Sequence, residues 1–313
     1  MSEATNPILN AFTVDVEDYY QVSAFAKVVK PADWDHYQSR VVNNTHRLLK
    51  VLDTHQVRGT FFILGWVADR YPHLVRDIQK SGHEIGCHSF WHRLVYNMSP
   101  DEFREDLLQA CQAIEEITGE RITAYRAPSF SITRKSLWAL EILAEEGFRF
   151  DSSIFPIHHD RYGIPNAQRF PHPIQTASGM LWEFPASVFP IGKLNLPIAG
   201  GGYFRLYPVR FSHYFLRRIN HSSRRPFVFY IHPWEIDPDQ PRLPGPLSSR
   251  FRHRVNLART ERKLKWLLAR YRFGPLSTAT SDDRSRSEET PELSRLPENR
   301  TQHDRERSPK FIQ

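Results

Sequence analysis

The 313-residue chain is poor in cysteine and has no long apolar segment. Its two cysteines, Cys87 and Cys111, cannot form a disulfide framework, and they lack the CxxC spacing of a structural zinc site. The longest apolar stretches, such as 227–231, are too short to cross a bilayer. The N-terminal segment lacks the basic region followed by an apolar region that is typical of a secretory signal. These absences predict a soluble, cytoplasmic protein.

Acidic residues are scarce in two basic stretches. Residues 205–225 contain six arginines and no acid, and residues 250–272 contain nine lysines and arginines with one glutamate. Such stretches can contact the phosphates of a nucleic acid, an anionic lipid or a phosphorylated carrier, and a solvated helix face explains them equally well. No nucleic-acid-binding motif accompanies the arginines, so nucleic acid is not an expected partner. Peripheral contact with an anionic membrane surface, at the inner membrane face, is the expectation that we retain.

Hydrophobic residues make up 40% of the chain and aromatic residues 13%, which is enough for a large core. In the first half, short apolar strands alternate with amphipathic helices: strands are predicted at 11–16, 59–64 and 84–87, and a helix at 100–118. Repeated strand–helix units imply parallel strands joined by right-handed crossovers, and therefore an α/β fold. In parallel barrels, active sites lie at the carboxyl ends of the strands.

The second half of the chain is less regular. A glycine triplet at 200–202 lacks the spacing of a phosphate-binding loop, so it predicts a tight turn or a close approach of two backbones. We predict that the aromatic segment 203–205 after it is a strand. Residues 275–313 mix charges of both signs with serine, threonine and proline, and contain one aromatic residue. Such a segment cannot bury enough apolar surface to offset its ordering entropy, which predicts a disordered tail.

Three predicted strand ends carry residues that can bind a metal ion. His88 and His92 follow the strand 84–87, and their spacing allows both imidazoles to bind one Zn²⁺ or a similar ion. Carboxylates end the first strand, and His232 ends the strand 227–231. Two histidines and one carboxylate leave positions open for water and substrate, which is typical of a catalytic site rather than a structural one. An isolated HxxxH pair would more often be two surface histidines.

Five motifs in a fixed order change that interpretation. They are DVED at 15–18, HSFWH at 88–92, RAPSF at 126–130, DSSIFP at 151–156 and IH at 231–232. In this order they resemble the motifs of the polysaccharide deacetylases, which are metal-dependent carbohydrate N-deacetylases. The stretches TVDVEDYYQV, GGGYFRLYP and FYIHPWEID resemble the subgroup linked to bacterial exopolysaccharide (exosortase-associated) gene clusters.

The resemblance implies a fold and a domain organisation. The fold would be a distorted (β/α) barrel with fewer than eight full units and a groove at the carboxyl ends of its strands. Residues 1–274 would form one catalytic domain with its core motifs at 11–235. An irregular, subgroup-specific C-terminal part would occupy about 190–274, before the tail.

The resemblance also implies roles for single residues. His88 and His92 would bind the metal ion. Asp15 would be the general base that takes a proton from water, and Arg126 would pair with Asp15 and keep it ionised. His232 would be the general acid that protonates the departing amine.

Further roles follow from the same resemblance. Asp151 would orient His232 or support the groove. The backbone N–H groups near Ser129 and Phe130 would help to stabilise the oxyanion, with Phe130 at the substrate. Trp234, beside His232, would line the sugar groove, because aromatic faces stack on pyranose rings.

The first motif departs from the usual family form, in which two adjacent aspartates act as base and metal ligand. On a strand, Asp15 and Glu17 point to the same face and Asp18 points to the other. Glu17 is then the candidate ligand, with Asp15 as the base. If the strand ends at Glu17, Asp18 can turn inward and take the ligand role instead. The sequence leaves both carboxylates open as ligands.

The function that these features imply is hydrolysis of the N-acetyl group of an N-acetylated sugar, in a polysaccharide or in its lipid- or nucleotide-linked precursor, during exopolysaccharide biosynthesis. The expected cofactor is one divalent metal ion, zinc first, with cobalt, nickel or iron as alternatives. The alternatives are hydrolysis of a non-sugar C–N bond on the same fold, or a glycan-binding protein without activity. The retained HxxxH pair argues against the first alternative, and the joint presence of Asp15, Arg126 and His232 argues against the second.

Overall fold

The computed structural model describes residues 8–159, 161–279 and the backbone of 294–295. Twelve strands lie in these residues, and we number them in chain order. They are β1 Leu9–Val16, β2 Thr60–Ile63, β3 Glu84–Cys87, β4 Ala124–Tyr125, β5 Phe150–Asp151, β6 His172–Gln175, β7 Met180–Glu183, β8 Val188–Ile191, β9 Leu194–Pro197, β10 Val228–Ile231, β11 Arg272–Gly274 and β12 Ser294–Arg295.

The described residues also form ten α-helices and several 3₁₀ turns, and none of these helices combines the length and apolarity that crossing a membrane requires. The helices are α1 Val41–Thr54, α2 Gly65–Arg70, α3 Pro72–Lys80, α4 Pro100–Thr118, α5 Trp138–Glu145, α6 Gly201–Leu206, α7 Val209–Ser222, α8 Leu247–Arg254, α9 Leu257–Leu268 and α10 Leu276–Ala279.

The fold is α/β, as the sequence predicts, with a curled mixed sheet that forms part of a barrel. The strand order is β10-β1-β2-β3-β4-β5-β7-β6-β12, and β11 pairs with the first residues of β1. From β10 to β7 the neighbouring strands are parallel, whereas β6 and β7 are antiparallel. The carboxyl ends of the parallel strands therefore lie along one edge of the sheet, and the five sequence motifs follow strands that end there.

Helix α4 shows why the first half was predictable. Ser99 accepts a hydrogen bond from the backbone N–H of Glu102, and the Glu102 side chain accepts one from the N–H of Ser99, which together form a capping box. The helix ends at Gly119, whose φ of 68° is the left-handed conformation that favours glycine. The predicted bounds, 100–118, are confirmed.

The prediction of a strand at 203–205 is wrong, because these residues lie in α6. The glycine triplet before them forms the close approach of backbones that the sequence predicts. Gly200 has a φ of 152°, and a Cβ atom there would lie 2.1 Å from the carbonyl oxygen of Tyr230. The chain turns against β10 at this point and then begins a helix.

The boundary of the predicted tail also needs correction. Residues 276–279 form α10, in which Leu276 is fully buried and its N–H donates to Thr60 Oγ1 at 2.9 Å. The pair Ser294–Arg295 aligns in parallel with β6. The packed domain therefore extends past residue 274. The other residues assigned to a disordered tail lie outside the described residues.

Candidate active site

A carboxylate and two imidazoles meet at the sheet edge. Glu17 follows β1 directly, and His88 and His92 follow β3. Their ligand atoms all lie within 4.8 Å of one another, and all three side chains are buried. Glu17 Oε2 lies 2.6 Å from His92 Nε2, and no other hydrogen-bond donor among the described residues reaches it. A buried carboxylate oxygen whose polar neighbours are imidazole nitrogens fits a divalent metal ion.

Neighbouring groups orient both imidazoles. His88 Nδ1 lies 2.7 Å from the carbonyl oxygen of Arg126, so Nδ1 carries the proton and Nε2 is free to bind a metal ion. His92 Nδ1 lies 3.3 Å from Ser23 Oγ, which is itself 2.8 Å from Ser129 Oγ. Such outer contacts fix the ring orientation of metal-binding histidines.

The protonation states of this cluster suit metal binding. Burial alone would raise the pKa of Glu17, but the charges of His92, His232 and His88 lower it to about 2. Burial lowers the pKa of His88 to about 4, although the nearby carboxylates Asp15 and Glu17 oppose that shift. At neutral pH the cluster therefore contains an anionic carboxylate and a neutral imidazole, the forms that coordinate metal ions.

Asp18, the other candidate carboxylate, lies apart from this cluster. One of its oxygens accepts hydrogen bonds from Ser39 Oγ at 2.8 Å and from the backbone N–H groups of Arg40 and Val41 at 2.7 and 3.0 Å. Burial outweighs these hydrogen bonds and raises the pKa of Asp18 to about 6. Asp18 thus anchors the start of α1, and the ligand role falls to Glu17.

Asp15 and Arg126 form a buried ion pair beside the cluster of Glu17, His88 and His92. Arg126 Nη1 donates to Asp15 Oδ1 and to Thr13 Oγ1, both at 2.8 Å, and the Arg126 side chain is fully buried. Its other nitrogens donate to the carbonyl and hydroxyl oxygens of Ser152. The second oxygen of Asp15 lies 3.7 Å from His232 Nε2, and both residues line the cavity.

His232 is oriented by Glu235 and not by Asp151. Its Nδ1 lies 2.6 Å from Glu235 Oε1, and the other Glu235 oxygen accepts from Arg205 Nε at 2.5 Å. Burial alone would lower the pKa of His232, but the hydrogen bond that His232 donates to Glu235 and the charges of Glu17, Glu235 and Asp15 raise it to about 9. His232 is therefore a cation at neutral pH.

Glu235 and Arg205 are parts of the site, although the sequence left the role of Glu235 open and gave Arg205 none. Glu235 stands three residues after His232 and accepts its backbone N–H at 3.1 Å, the spacing of a capping box, and this pattern could have identified it. Arg205 belongs to a basic stretch and has no local signal. Together with Lys263, which donates to three carbonyl oxygens at the end of α6, it shows that parts of these stretches serve internal contacts.

Asp151 lies at the end of β5, beside Glu183 of β7, and outside the residues that line the cavity. It accepts a hydrogen bond from Ser153 Oγ at 2.5 Å. Burial, and then the adjacent Asp151, raise the pKa of Glu183 well above its usual range. The predicted orientation of His232 by Asp151 is wrong, because Glu235 lies at His232 Nδ1, and the alternative role of Asp151, support of the groove, stays a prediction.

The predicted substrate residues lie in the cavity wall. The cavity has a volume of about 400 Å³, and both Phe130 and Trp234 line it. Trp234 is only 4% exposed, stacks on His232 and His253, and donates from Nε1 to Glu17 Oε1 at 3.3 Å. Its visible role is to position Glu17, and sugar stacking stays a prediction.

The predicted oxyanion donors lie in a strained turn. Ser129 and Phe130 both have positive φ values, 54° and 53°, which are uncommon for residues other than glycine. The N–H of Phe130 donates to the carbonyl of Ala127 at 3.1 Å. Among the backbone hydrogen bonds of the described residues, the Ser129 N–H has no acceptor, so it is the better candidate of the two.

Two family models match the chain one after the other. Residues 34–149 match the model of the polysaccharide deacetylases, and this stretch contains His88, His92 and Arg126. Residues 152–281 match a domain of unknown function, DUF3473, which contains His232. The candidate site is therefore shared between both matched regions and β1, which precedes them.

Curated relatives are similar over part of their length. The chain is 32% identical over 98 residues to a peptidoglycan-N-acetylglucosamine deacetylase of Bacillus cereus, which is 31% of this chain and 36% of that protein. It is 28% identical over 100 residues to a chitooligosaccharide deacetylase of Bradyrhizobium, 32% of this chain and 43% of that protein. The chain thus spans less than half the length of these relatives.

A solved structure is similar over nearly the whole chain. It is a crystal structure from Mycobacterium smegmatis, assigned to the polysaccharide deacetylases, with a TM-score of 0.61 and 21% sequence identity. The similarity covers 96% of both chains, and it supports the fold described above.

Proposed function

Because residues 34–149 match the polysaccharide deacetylase model and residues 152–281 match DUF3473, we propose that the chain is a deacetylase of this kind, a metal-dependent hydrolase that removes the acetyl group from an N-acetylated sugar. The observation that carries this proposal is the buried cluster of Glu17, His88 and His92 beside Asp15 and a cationic His232. Base, acid and metal ligands thus face one cavity.

The reaction needs a metal ion and two proton transfers. When bound by Glu17, His88 and His92, a divalent ion would polarise the acetyl carbonyl group and acidify a water molecule. The free oxygen of Asp15 would accept the proton of the attacking water, while Arg126 holds the other oxygen in place. His232, charged at neutral pH, would give its proton to the amine nitrogen as the C–N bond breaks.

The identity of the metal ion, the pathway and the location of the protein are each proposed from fewer observations. Two imidazoles and one carboxylate form a donor set that zinc enzymes use, which favours zinc over cobalt, nickel or iron. The exopolysaccharide pathway is supported only by the subgroup-like sequence stretches. The cytoplasmic location and the contact with an anionic membrane surface stay predictions from the sequence.

The proposal is tested by acetate release from a panel of N-acetylated sugars, free, nucleotide-linked and lipid-linked, with metal added or chelated. The His88→Ala/His92→Ala variant should lose its bound metal and at least about a hundredfold of activity, because water activation and carbonyl polarisation go together. The matched control is His36→Ala, at an exposed histidine, which should keep both.

Full metal content in the double variant, measured by elemental analysis, would contradict the ligand assignment. Release of ammonia or an amine from non-sugar amides, without acetate release from any sugar, would favour hydrolysis of another C–N bond. Metal-independent sugar binding without any turnover would favour a binding protein.

A further inference from the structure

Two arginines lie at the mouth of the cavity whose floor holds the candidate catalytic groups. Arg161 belongs to the segment between β5 and β6, and Arg252 belongs to α8. Both are exposed, and neither forms an ion pair with any other residue that the structure describes. Two exposed cations in the wall of a cavity attract an anionic ligand.

Arg161 takes part in contacts with described neighbours. Its N–H donates to His159 Nδ1 at 3.2 Å, and the His159 ring stacks on Tyr162 with 3.9 Å between the ring centres. Gly163 has a φ of 99°, and a Cβ atom there would lie 2.4 Å from the carbonyl oxygen of Ile157. This glycine, two residues after Arg161, therefore permits a close approach of the backbone to Ile157.

The helix that carries Arg252 packs against the candidate site. The next residue, His253, is buried, lies with Nε2 3.0 Å from the carbonyl oxygen of Tyr19, and stacks on Trp234. Helix α8 is therefore docked against the site. Tyr162 lines the same cavity as Arg161 and Arg252, and both arginines act to lower the pKa of its phenol against the larger effect of burial.

Exposed apolar side chains line the same cavity as the arginines. Leu206 and Phe251 line it and are 49% and 63% exposed, and Leu247 stands one helical turn before Phe251 on α8. A ligand that combines a sugar, negative charge and an apolar or aromatic group would match the three kinds of side chain in this wall.

We propose that Arg161 and Arg252 form a diphosphate-binding subsite, through which the N-acetylated sugar is presented while still linked to a carrier diphosphate. Guanidinium groups suit this role because their planar donors pair with phosphate oxygens in a bidentate manner. This inference rests on the proposed function and names the substrate class of the same site. A nucleotide and a lipid carrier share this chemistry, and both are included in the test.

The first measurement is binding without turnover. Inorganic pyrophosphate is titrated calorimetrically into the metal-free protein, so that it cannot bind a metal ion instead of the arginines. The wild type should bind it, Arg161→Ala/Arg252→Ala should bind at least about tenfold more weakly, and Arg250→Ala, an exposed arginine of α8 that does not line the cavity, should bind like wild type. No binding to the wild type, or equal binding to the double variant, overturns the proposal.

The second measurement is acetate release from a free chitooligosaccharide, uridine diphosphate-linked N-acetylglucosamine and its polyprenyl diphosphate-linked counterpart. In the double variant, KM for a diphosphate-linked sugar should rise at least about tenfold with little change in kcat, and hydrolysis of the free oligosaccharide should stay unchanged. Of the two diphosphate-linked sugars, the one with the lower KM for the wild type identifies the carrier, nucleotide or lipid. Equal losses on free and linked sugars overturn the subsite. If no sugar is hydrolysed but the arginines still bind pyrophosphate, the proposed function fails and the subsite stands.

Discussion

His88 and His232 line the same cavity but lie in opposite electrostatic surroundings. On one side, His88 Nδ1 contacts the carbonyl oxygen of Arg126, a neutral acceptor, and burial lowers the pKa of the ring to about 4. On the other side, His232 Nδ1 contacts the carboxylate of Glu235, and its pKa rises to about 9 against the opposing effect of burial.

The comparison shows how one residue type serves two roles in one site. A neutral ring can coordinate a metal ion, whereas a protonated ring can donate to a leaving group. The group at Nδ1 makes the difference, since a carboxylate stabilises the imidazolium form and a carbonyl does so far less. Separation of the pKa values of neighbouring groups is how acid and base roles divide in active sites.

Among the changes that test this difference between the two histidines, His232→Ala should lower the rate of hydrolysis most. Loss of a general acid costs about 10²- to 10⁴-fold in rate, so hydrolysis of an N-acetyl sugar should fall within that range. An activated acetate ester should lose much less, because its leaving group needs no proton. Equal losses on both substrates would show that His232 is not the acid.

A smaller effect should follow Glu235→Gln, which keeps the side-chain shape and removes the charge at Nδ1. The pKa of His232 should fall, because burial is then opposed by fewer carboxylates. In a profile of rate against pH, the wild type should lose activity on the alkaline side, as His232 loses its proton. In the variant, this alkaline loss of activity should begin at a lower pH than in the wild type. Circular dichroism checks that the variant folds although Arg205 has lost its ion pair with Glu235. An alkaline limb at an unchanged pH would contradict the role of Glu235.

The smallest effect on the chemistry should come from a core change far from both histidines. Leu276→Ala removes a fully buried side chain and should lower the free energy of unfolding by about 2–5 kcal/mol. The pH profile should keep its shape, because neither ring changes its neighbours. Leu247→Ala, at a position 79% exposed, is the control and should unfold like wild type in urea. If Leu276→Ala is neutral, the packed domain ends before α10.

The first half of the site was predictable because it depends on strand ends. Asp15, His88 and Arg126 follow parallel strands, and the carboxyl ends of parallel strands share an edge. Side-chain alternation made Glu17 a candidate ligand, although the sequence left Asp18 open as well. The sequence could not show that Asp18 accepts hydrogen bonds at the start of α1, because these donors lie more than twenty residues away in the chain.

The acid side of the site was less predictable because its contacts are distant in the chain. Arg205 contacts Glu235 across thirty residues, and its basic neighbours made it resemble a surface arginine. Its segment was predicted to be a strand, since local pattern does not reveal that Gly200 packs against Tyr230 and starts a helix there. Glu235 alone carried a local signal, in its spacing from His232.

The most direct test of the central claim is a pH titration of the histidine ring signals by NMR in the metal-free protein. One ring signal, absent in His232→Ala, should titrate near pH 9, and another, absent in His88→Ala, should titrate near pH 4. That result would confirm that one cavity holds a cationic and a neutral histidine at neutral pH. If both signals titrate together near pH 6.5, the ordinary value for histidine, the division of roles between the two sides is wrong.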